Sequence, residues 1–228
     1  MEVLRDPQAV LDLTDQQILQ TGRQRNVYLL KPGGAALKDS APPLVLKVPR
    51  YRHKHAKLSL GKRLLRKIHP ESAYRVITKE ADYVKRVAAA KRGLPIPAFG
   101  AFVETNQGRG VLWEAICDEN GDLGPTLNDL CKAGKAQAAI APLNEFVDCC
   151  FAQHIVAPDV HAGNLILTRR EGQDRFILVD GFGDHRVISI REFWRSYNVR
   201  SLTRSFLKMA RNTGLNYDEE ARRFAAPD

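Results

Sequence analysis

Residues 155–183 restrict the possible folds of this chain more than any other segment, because polar side chains follow short apolar runs there at fixed spacings. Asp159 precedes Asn164 by five residues, and Asp180 comes directly after the apolar run 176–179. We expect such positions to point polar groups out of a rigid core into a cleft. Asn164 and Asp180 offer oxygen atoms that suit Mg²⁺, which favours carboxylates together with phosphate oxygens. Asp159 is a candidate for orienting or deprotonating a hydroxyl nucleophile.

The N-terminal third is predicted to form an antiparallel meander. Apolar, β-prone runs at 17–20, 26–30 and 44–48 are separated by a turn and by a loop rich in Pro and Gly. Short strands joined by short connections usually pair with their neighbours along the chain.

A helix is predicted over 72–92, where apolar residues recur at helical spacing before the stop signal of Gly93 and Pro95. Two further strands, 99–103 and 111–116, are expected to flank a polar turn. A polar connector at 118–125 is the predicted boundary between two lobes.

The C-terminal half is predicted to contain two helices and a hairpin. One helix has an apolar face with the spacing i, i+3, i+4, i+7, formed by Leu143, Phe146, Val147 and Cys150. Strands at 165–167 and 176–179 are joined by a polar hairpin. The last helix opens with the capping-box pattern Ser189-Ile-Arg-Glu192. Its predicted apolar face consists of Phe193, Tyr197, Leu202, Phe206 and Met209. Its basic residues indicate a solvated face or a surface for acidic lipid or a partner.

Asp159 and Asn164, in the spacing D-x-x-x-x-N, and the later Asp180-Gly-Phe-Gly resemble the catalytic and metal loops of protein-kinase-like folds. The loop DVHAGN is similar to the D-x-H-x-x-N loop of aminoglycoside and choline kinases. From about Gln17 to Ser201 the chain resembles the YrbL-like family of PhoP-regulatory-network proteins, which are small, kinase-like bacterial proteins. The matching pieces are TGRQRNVY, LVLKV, DVHAGNLIL and LVDGFGD.

The resemblance implies an α+β, protein-kinase-like fold. Its N-terminal antiparallel sheet lobe would span residues 1–117 and bind nucleotide, and a reduced, mainly helical C-terminal lobe would span 118–228. It implies ATP and Mg²⁺ as cofactors and phosphoryl transfer to a hydroxyl. Asn164 and Asp180 would hold the metal, and Asp159 would act as the catalytic base or orienting group.

The resemblance also implies a strand lysine and a helix carboxylate at the nucleotide site. Lys47 lies within the apolar run LVLKV, where an unpartnered ammonium is costly to bury. Glu80 is the preferred carboxylate to position Lys47, with Asp82 as the second choice. The hairpin 20–28, with Gly22, Arg23 and a second arginine, would cover the phosphates with backbone N–H groups and guanidinium groups.

Each of these residues also has a purely structural interpretation. Asp180 with Gly181 forms a common strand-ending turn, and Asp159 and Asn164 are common loop caps. Lys47 can extend its ammonium to solvent, and Glu80 can pair with helix neighbours. His161 is expected to shape the loop rather than act as a base.

The chain departs from the kinase pattern at four places. The nucleotide loop has only Gly22, Ala157 stands where a His/Arg-containing triad usually begins, and Gly181 replaces an apolar residue. After Asp180 only 228 − 180 = 48 residues remain, so the second lobe is expected to be minimal. We therefore predict an ATP-dependent phosphotransferase, with a pseudokinase that binds nucleotide as a regulatory module as the alternative. A basic protein that binds nucleic acid or a membrane surface is the second alternative.

The charge of the chain is concentrated in one segment. Lys and Arg number 35 against 26 Asp and Glu, which gives a net charge of +9. Residues 40–70 hold nine Lys and Arg and no acidic residue. We call residues 48–70 the basic insert. It indicates a solvated face, or binding to phosphates, nucleic acid or an anionic membrane surface. Tyr51 is its one aromatic residue, which argues against base stacking, and no DNA partner is expected. A phosphorylated or otherwise anionic acceptor, an acidic protein or a lipid head group is the expected partner.

Other features exclude some classes of protein. No apolar run approaches the roughly 20 residues of a membrane helix, so an integral membrane protein is not expected. The N-terminal residues mix charge with apolar side chains, which is not typical of a signal peptide, and a cytoplasmic location is predicted. The four cysteines have no zinc-site spacing and are expected to be reduced.

Overall fold

The computed structural model describes residues 3–6, 8–21, 25–34, 36–50, 74–91, 93–183 and 190–227. These residues have an α+β fold whose strands pair antiparallel. The chain divides into two compact units. Unit 1 comprises Met1–Asp82 and Ala98–Ala115, and unit 2 comprises Tyr83–Pro97 and Ile116–Asp228. The assignment of nucleotide binding to residues 1–117 and of the catalytic loops to 118–228 stays a prediction.

Unit 1 is built on a five-stranded antiparallel sheet with the strand order β1-β2-β3-β5-β4. The first three strands form the predicted meander. Every neighbouring pair in the order is antiparallel. The strands are β1 (Gln17–Thr21), β2 (Arg25–Leu30), β3 (Leu44–Pro49), β4 (Phe99–Val103) and β5 (Gly110–Glu114).

The central strand β3 is buried on both of its faces. Leu44, Leu46 and Val48 alternate along one face and join a core that includes Tyr28 and Leu37. The other face of the strand carries Lys47, whose backbone lies between Val27 of β2 and Val111 of β5. Because both faces of this strand are covered, the side chain of Lys47 is buried whichever face it lies on.

Helix α1 (Arg75–Ala90) was predicted over 72–92. The boundary between the two units falls inside it, between Asp82 and Tyr83. Within unit 1 it contributes the buried side chains of Ile77, Glu80 and Ala81.

Unit 2 contains two helices beside the predicted hairpin. They are α2 (Leu127–Lys132) and α3 (Ala136–Ala152), and α3 buries the predicted face of Leu143, Phe146, Val147 and Cys150. The hairpin consists of β6 (Leu165–Arg170) and β7 (Gln173–Leu178), so the strands extend further than expected. Glu171 and Gly172 close it with positive φ at both positions, as a two-residue hairpin turn requires.

The C-terminal part of unit 2 differs from the prediction of one helix. Helix α4 (Ile190–Phe193) ends before Trp194, and α5 (Arg195–Thr213) then begins. Leu202, Phe206 and Met209 are buried as expected, whereas Phe193 is 80% and Tyr197 39% exposed. The prediction was wrong for Phe193 and Tyr197 because their helical spacing was counted across the break between the helices.

A short hairpin that sequence reasoning did not predict follows α5. It consists of β8 (Asn216–Asp218) and β9 (Arg223–Ala225). The rings of Tyr217 and Phe224 pack against each other and against the ring of Phe206, which connects the hairpin to α5.

Some predicted features lie outside the described residues. Gly22 and Arg23 of the nucleotide hairpin, residues 51–70 of the basic insert, and Ser189 of the predicted cap belong to this group. Over the ranges that the structure does describe, no helix has the length and hydrophobicity to span a membrane.

Candidate functional site

Unit 1 contains a buried lysine at the predicted nucleotide position. Lys47 is 4% exposed, and its Nζ lies 5.5 Å from the centroid of the Trp113 ring. Trp113 lies on the neighbouring strand β5 and is 1% exposed. A cation over an indole face is attracted by the ring quadrupole, which offsets part of the cost of burying the ammonium.

The predicted partner carboxylate, Glu80, is bound by an arginine. The guanidinium of Arg25, at the start of β2, donates Nη1–H to Oε2 and Nη2–H to Oε1 of Glu80, both at 2.8 Å. The Glu80 side chain is 0% and the Arg25 side chain 14% exposed. Two parallel charge-assisted hydrogen bonds are the geometry in which a buried carboxylate is best stabilised.

Arg25 was expected to be available to phosphate together with Arg23. It instead forms the bidentate pair with Glu80, so its contribution to unit 1 is structural. The pairing of Lys47 with Glu80 stays a prediction. Asp82, the second choice for that pairing, is exposed.

Unit 2 contains the candidate catalytic loop, which begins with a buried segment of irregular backbone. Ile155, Val156 and Ala157 are at most 1% exposed and belong to no helix or strand. Buried backbone groups outside regular structure need partners elsewhere, because leaving them unpaired costs free energy.

Side chains of α1 and α5 bind this segment directly. The Val156 N–H donates to the Tyr83 hydroxyl at 2.8 Å. Asn198 Nδ2 donates to the Ile155 carbonyl at 2.9 Å, and Ser205 Oγ donates to the Pro158 carbonyl at 3.2 Å. Burial raises the pKa of the Tyr83 hydroxyl, while the bond from Val156 acts in the opposite direction.

Asp159 and Asn164 follow this segment in the loop. Asp159 is exposed, and Asn164 ends a single 3₁₀ turn (Ala162–Asn164) whose last N–H donates to the His161 carbonyl at 2.9 Å. The Asn164 carbonyl accepts the Val179 N–H at 2.9 Å. This bond places Asn164 beside the residue that precedes Asp180.

The segment after β7 packs against the same loop. Asp180 Oδ1 accepts the Gly181 N–H at 2.8 Å, and the Gly183 N–H donates to the Val156 carbonyl at 2.7 Å. Gly181 has φ +80°, and a Cβ at this position would lie 2.6 Å from the backbone oxygen of Asp159. Only glycine permits this close approach. The close packing therefore explains why Gly181 stands where the kinase pattern has an apolar residue.

The three predicted site residues of unit 2 are therefore brought onto two adjoining segments. Asp159 and Asn164 lie on the first, and Asp180 lies on the second. Lys47 and Glu80 belong to unit 1.

The oxygen atoms that unit 2 offers fit a hard cation that is bound partly by the protein and partly by phosphate. No group of three or more His, Cys, Asp or Glu within the described ranges could hold a metal by itself. Asn164 and Asp180 offer one amide and one carboxylate, so phosphate oxygens and water would complete the shell. That combination suits Mg²⁺, which keeps several waters and binds through few carboxylates.

Sequence reasoning missed three residues that bind the candidate catalytic loop, namely Tyr83, Asn198 and Ser205. It assigned Arg25 to phosphate and missed its pairing with Glu80. Asn198 and Ser205 gave a signal, since they lie seven residues apart on the face that also carries Leu202 and Phe206. Two polar residues on an otherwise buried helix face indicate hydrogen-bond partners in the core. Nothing in the sequence indicated a hydrogen-bonding role for Tyr83, because it occupies an ordinary apolar position of the predicted helix.

A comparison with family models matches residues 11–214 to the model described as PhoP regulatory network protein YrbL. No curated protein matches the chain.

Proposed function

The chain belongs to the YrbL family of PhoP regulatory network proteins, and we propose that it is a kinase-like phosphotransferase. It would move the γ-phosphoryl group of ATP to a hydroxyl acceptor in a Mg²⁺-dependent reaction. The observation that carries the proposal is the contact at Gly181, which joins the Asp159 loop to the Asp180 segment. The α+β fold of two units, one with an antiparallel sheet, is compatible with the kinase-like architecture.

The proposed reaction forms a P–O bond to the acceptor hydroxyl and breaks the bond between the γ-phosphorus and the bridging oxygen of ADP. Asp159 orients the hydroxyl and accepts its proton, which then passes to solvent. Mg²⁺, when held by Asn164 and Asp180, would neutralise charge on the phosphates. Catalysis of this kind depends mainly on positioning and electrostatics.

In unit 1, Lys47 is assigned to contact the phosphates. The Lys47 side chain is buried, and its Nζ lies over the Trp113 ring. Glu80 is assigned to position Lys47, and Arg25 fixes the Glu80 carboxylate through both oxygens. The phosphate contacts assigned to Gly22 and Arg23 remain part of the proposal.

The test is Mg²⁺-dependent ATP turnover by the full chain and by three variants. Asp180→Ala and Asp159→Asn are expected to lose turnover by roughly a hundredfold or more. Asp174→Ala is the matched control, since Asp174 is an exposed aspartate of unit 2 at the far end of β7. Undiminished turnover in Asp180→Ala would exclude the metal assignment.

A pseudokinase is the second candidate, and one observation favours it. Ala157, where the kinase pattern has a His/Arg-containing triad, is 0% exposed in a loop held by hydrogen bonds from other elements. A nucleotide panel with and without Mg²⁺, on the wild type and Lys47→Ala, separates the candidates. Thermal stabilisation by ATP without turnover selects the pseudokinase.

The acceptor or partner is proposed to bind near the basic insert. The insert would attract a phosphorylated or otherwise anionic group. Neutralising Lys54, Lys57, Lys62 and Arg63 together is expected to weaken acceptor binding and leave ATP binding intact. Loss of ATP binding would assign the insert to the nucleotide site.

A further inference from the structure

Two large exposed aromatic residues occupy consecutive positions at the break between α4 and α5. Phe193 is 80% and Trp194 64% exposed, and Tyr197, the third residue of α5, is 39% exposed. We call Phe193 and Trp194 the aromatic tip. Adjacent exposed aromatic rings are unfavourable in water and commonly mark a contact surface.

Helix α5 carries only positive charge. Its 19 residues include five Lys and Arg and no Asp or Glu. Counting about 100° per residue, Arg200, Arg204, Lys208 and Arg211 fall on one side of the helix, and all four are exposed. We call these four residues the α5 basic face. Its first residue, Arg200, comes six residues after Trp194, and the face extends over about 17 Å at about 1.5 Å per residue.

The cations of this face have no carboxylate partner among the described residues. Within the described part of the chain, Arg200, Arg204 and Lys208 form no ion pair, and Arg211 Nε bonds to a carbonyl of its own helix. Glu192, the acidic residue of α4, is already paired with Arg86 at 2.6 Å.

The opposite side of α5 is fully occupied. Leu202, Phe206 and Met209 pack in the core of unit 2, and Asn198 and Ser205 bind the candidate catalytic loop. The helix therefore cannot turn an apolar face outward. A molecule that binds the exposed side of α5 therefore meets a row of cations, and the aromatic tip precedes the N-terminal end of this helix.

We propose that the aromatic tip and the α5 basic face form a binding surface for an anionic lipid membrane. The cations lie parallel to a plane of anionic head groups, and Phe193 and Trp194 enter the interfacial region, where aromatic side chains are favoured. This surface is separate from the residues assigned to phosphoryl transfer, so it stands whether or not that assignment holds.

A single-stranded nucleic acid fits this surface less well. Such strands bind where aromatic rings alternate with cations along the path of the backbone, so that successive bases stack. Here the rings gather at one end, and no aromatic side chain lies on the exposed side of α5 after Tyr197. A strand that follows the cations would find no stacking platform.

The first test is co-sedimentation of the full chain with vesicles. Vesicles of phosphatidylcholine and phosphatidylglycerol in equal parts are expected to bind the chain, and vesicles of phosphatidylcholine alone are not. The triple variant Arg200→Glu, Arg204→Glu, Lys208→Glu is expected to lower the partition coefficient by roughly tenfold or more.

The matched control is Lys31→Glu, Lys38→Glu, Lys135→Glu, which changes the net charge equally at other exposed positions. Equal loss of vesicle binding in the control would show that binding depends only on the net charge of the chain, which would overturn the proposal. Failure of the wild type to bind the anionic vesicles, or tighter binding to single-stranded RNA than to them, would also overturn it.

The second test uses the two tryptophans of the chain, of which Trp113 is buried and Trp194 exposed. Anionic vesicles with brominated acyl chains are expected to quench Trp194 and leave Trp113 unchanged. Trp194→Phe should abolish the quenching while the Trp113 emission reports that the chain is folded. Quenching that persists in Trp194→Phe, or none in the wild type bound to vesicles, would place the contact elsewhere.

Discussion

The Arg25 guanidinium holds the Glu80 carboxylate through two hydrogen bonds of 2.8 Å, so the start of β2 is fixed to the first half of α1. The carboxylate has no solvent exposure, and the guanidinium has little. The pair therefore contributes to the stability of unit 1 independently of any nucleotide.

Removing either member of this pair is expected to be costly. Arg25→Met or Glu80→Met leaves a buried charge without its bidentate partner, and each should lower the free energy of unfolding by about 3 kcal/mol. The double variant should lose clearly less than the sum. Urea denaturation of the four proteins measures the coupling, and additive losses would show that the two groups do not stabilise each other.

Gly181→Ala is expected to destabilise unit 2 through two effects. The substitution puts a side chain at φ +80° and pushes a Cβ to 2.6 Å from the Asp159 oxygen. Gly121→Ala is the matched control, because Gly121 has φ +81° and no atom near the position of a Cβ. We expect a loss of about 1 kcal/mol in the control from backbone strain alone and at least twice that in Gly181→Ala. Equal losses in thermal or urea denaturation would mean that the close approach is not retained in solution.

The polar side chains of α5 that bind the candidate catalytic loop are expected to stabilise it. Asn198→Ala leaves the buried Ile155 carbonyl unpaired, which should cost about 1–3 kcal/mol. Asn212→Ala, at an exposed position of the same helix, should cost less than about 0.5 kcal/mol. Denaturation curves for both variants provide the comparison, and indistinguishable curves would contradict the assigned role of Asn198.

Unit 2 is expected to lose stability at alkaline pH. Burial raises the pKa of the Tyr83 hydroxyl and of the Cys150 thiol. The folded state then keeps protons that the unfolded state releases, so the stabilisation is complete below the ordinary pKa of each group and falls above it. The decline should begin near pH 9 with Cys150 and steepen near pH 10 with Tyr83.

Tyr83→Phe should remove part of this pH dependence. Its free energy of unfolding should fall less steeply above about pH 10, by up to about 1.4 kcal/mol per pH unit. Tyr197→Phe, at an exposed position of α5, should keep the wild-type slope. Urea denaturation at a series of pH values between 8 and 11 measures the slopes; a wild-type slope in Tyr83→Phe would assign the pH dependence to other groups.

The strands of unit 1 were predictable because their apolar runs are bounded by clear turn residues. Leu44–Pro49 shows this, since its one charged residue still left a continuous β-prone run. The β8–β9 hairpin was not predictable, because each strand has three residues and each contributes essentially one aromatic side chain to the core. The break at Trp194 was missed for a different reason. An interruption of one residue barely changes the spacing of apolar residues, so the helical pattern continues across it.

The approach of the two candidate segments was predictable, because one stretch of sequence carries the information. Asp159 and Asn164 lie on a segment that adjoins the segment of Asp180, because the hairpin between them returns the chain to its starting point. Their roles stay a prediction. Arg25 pairs with a residue 55 positions away, and Tyr83 binds one 73 positions away. No local pattern encodes such pairs, so the structure was needed to find them.

Because of its hydrogen bonds, the irregular segment 155–158 is expected to unfold locally as rarely as a helix or strand of the core. The Val156 amide can exchange its hydrogen with solvent only when Tyr83 releases it, and the neighbouring carbonyls are released only when α5 moves away. The backbone that leads into Asp159 therefore belongs to the same cooperative unit as the helices around it. A loop of this kind meets an incoming molecule in one fixed conformation, without an ordering step.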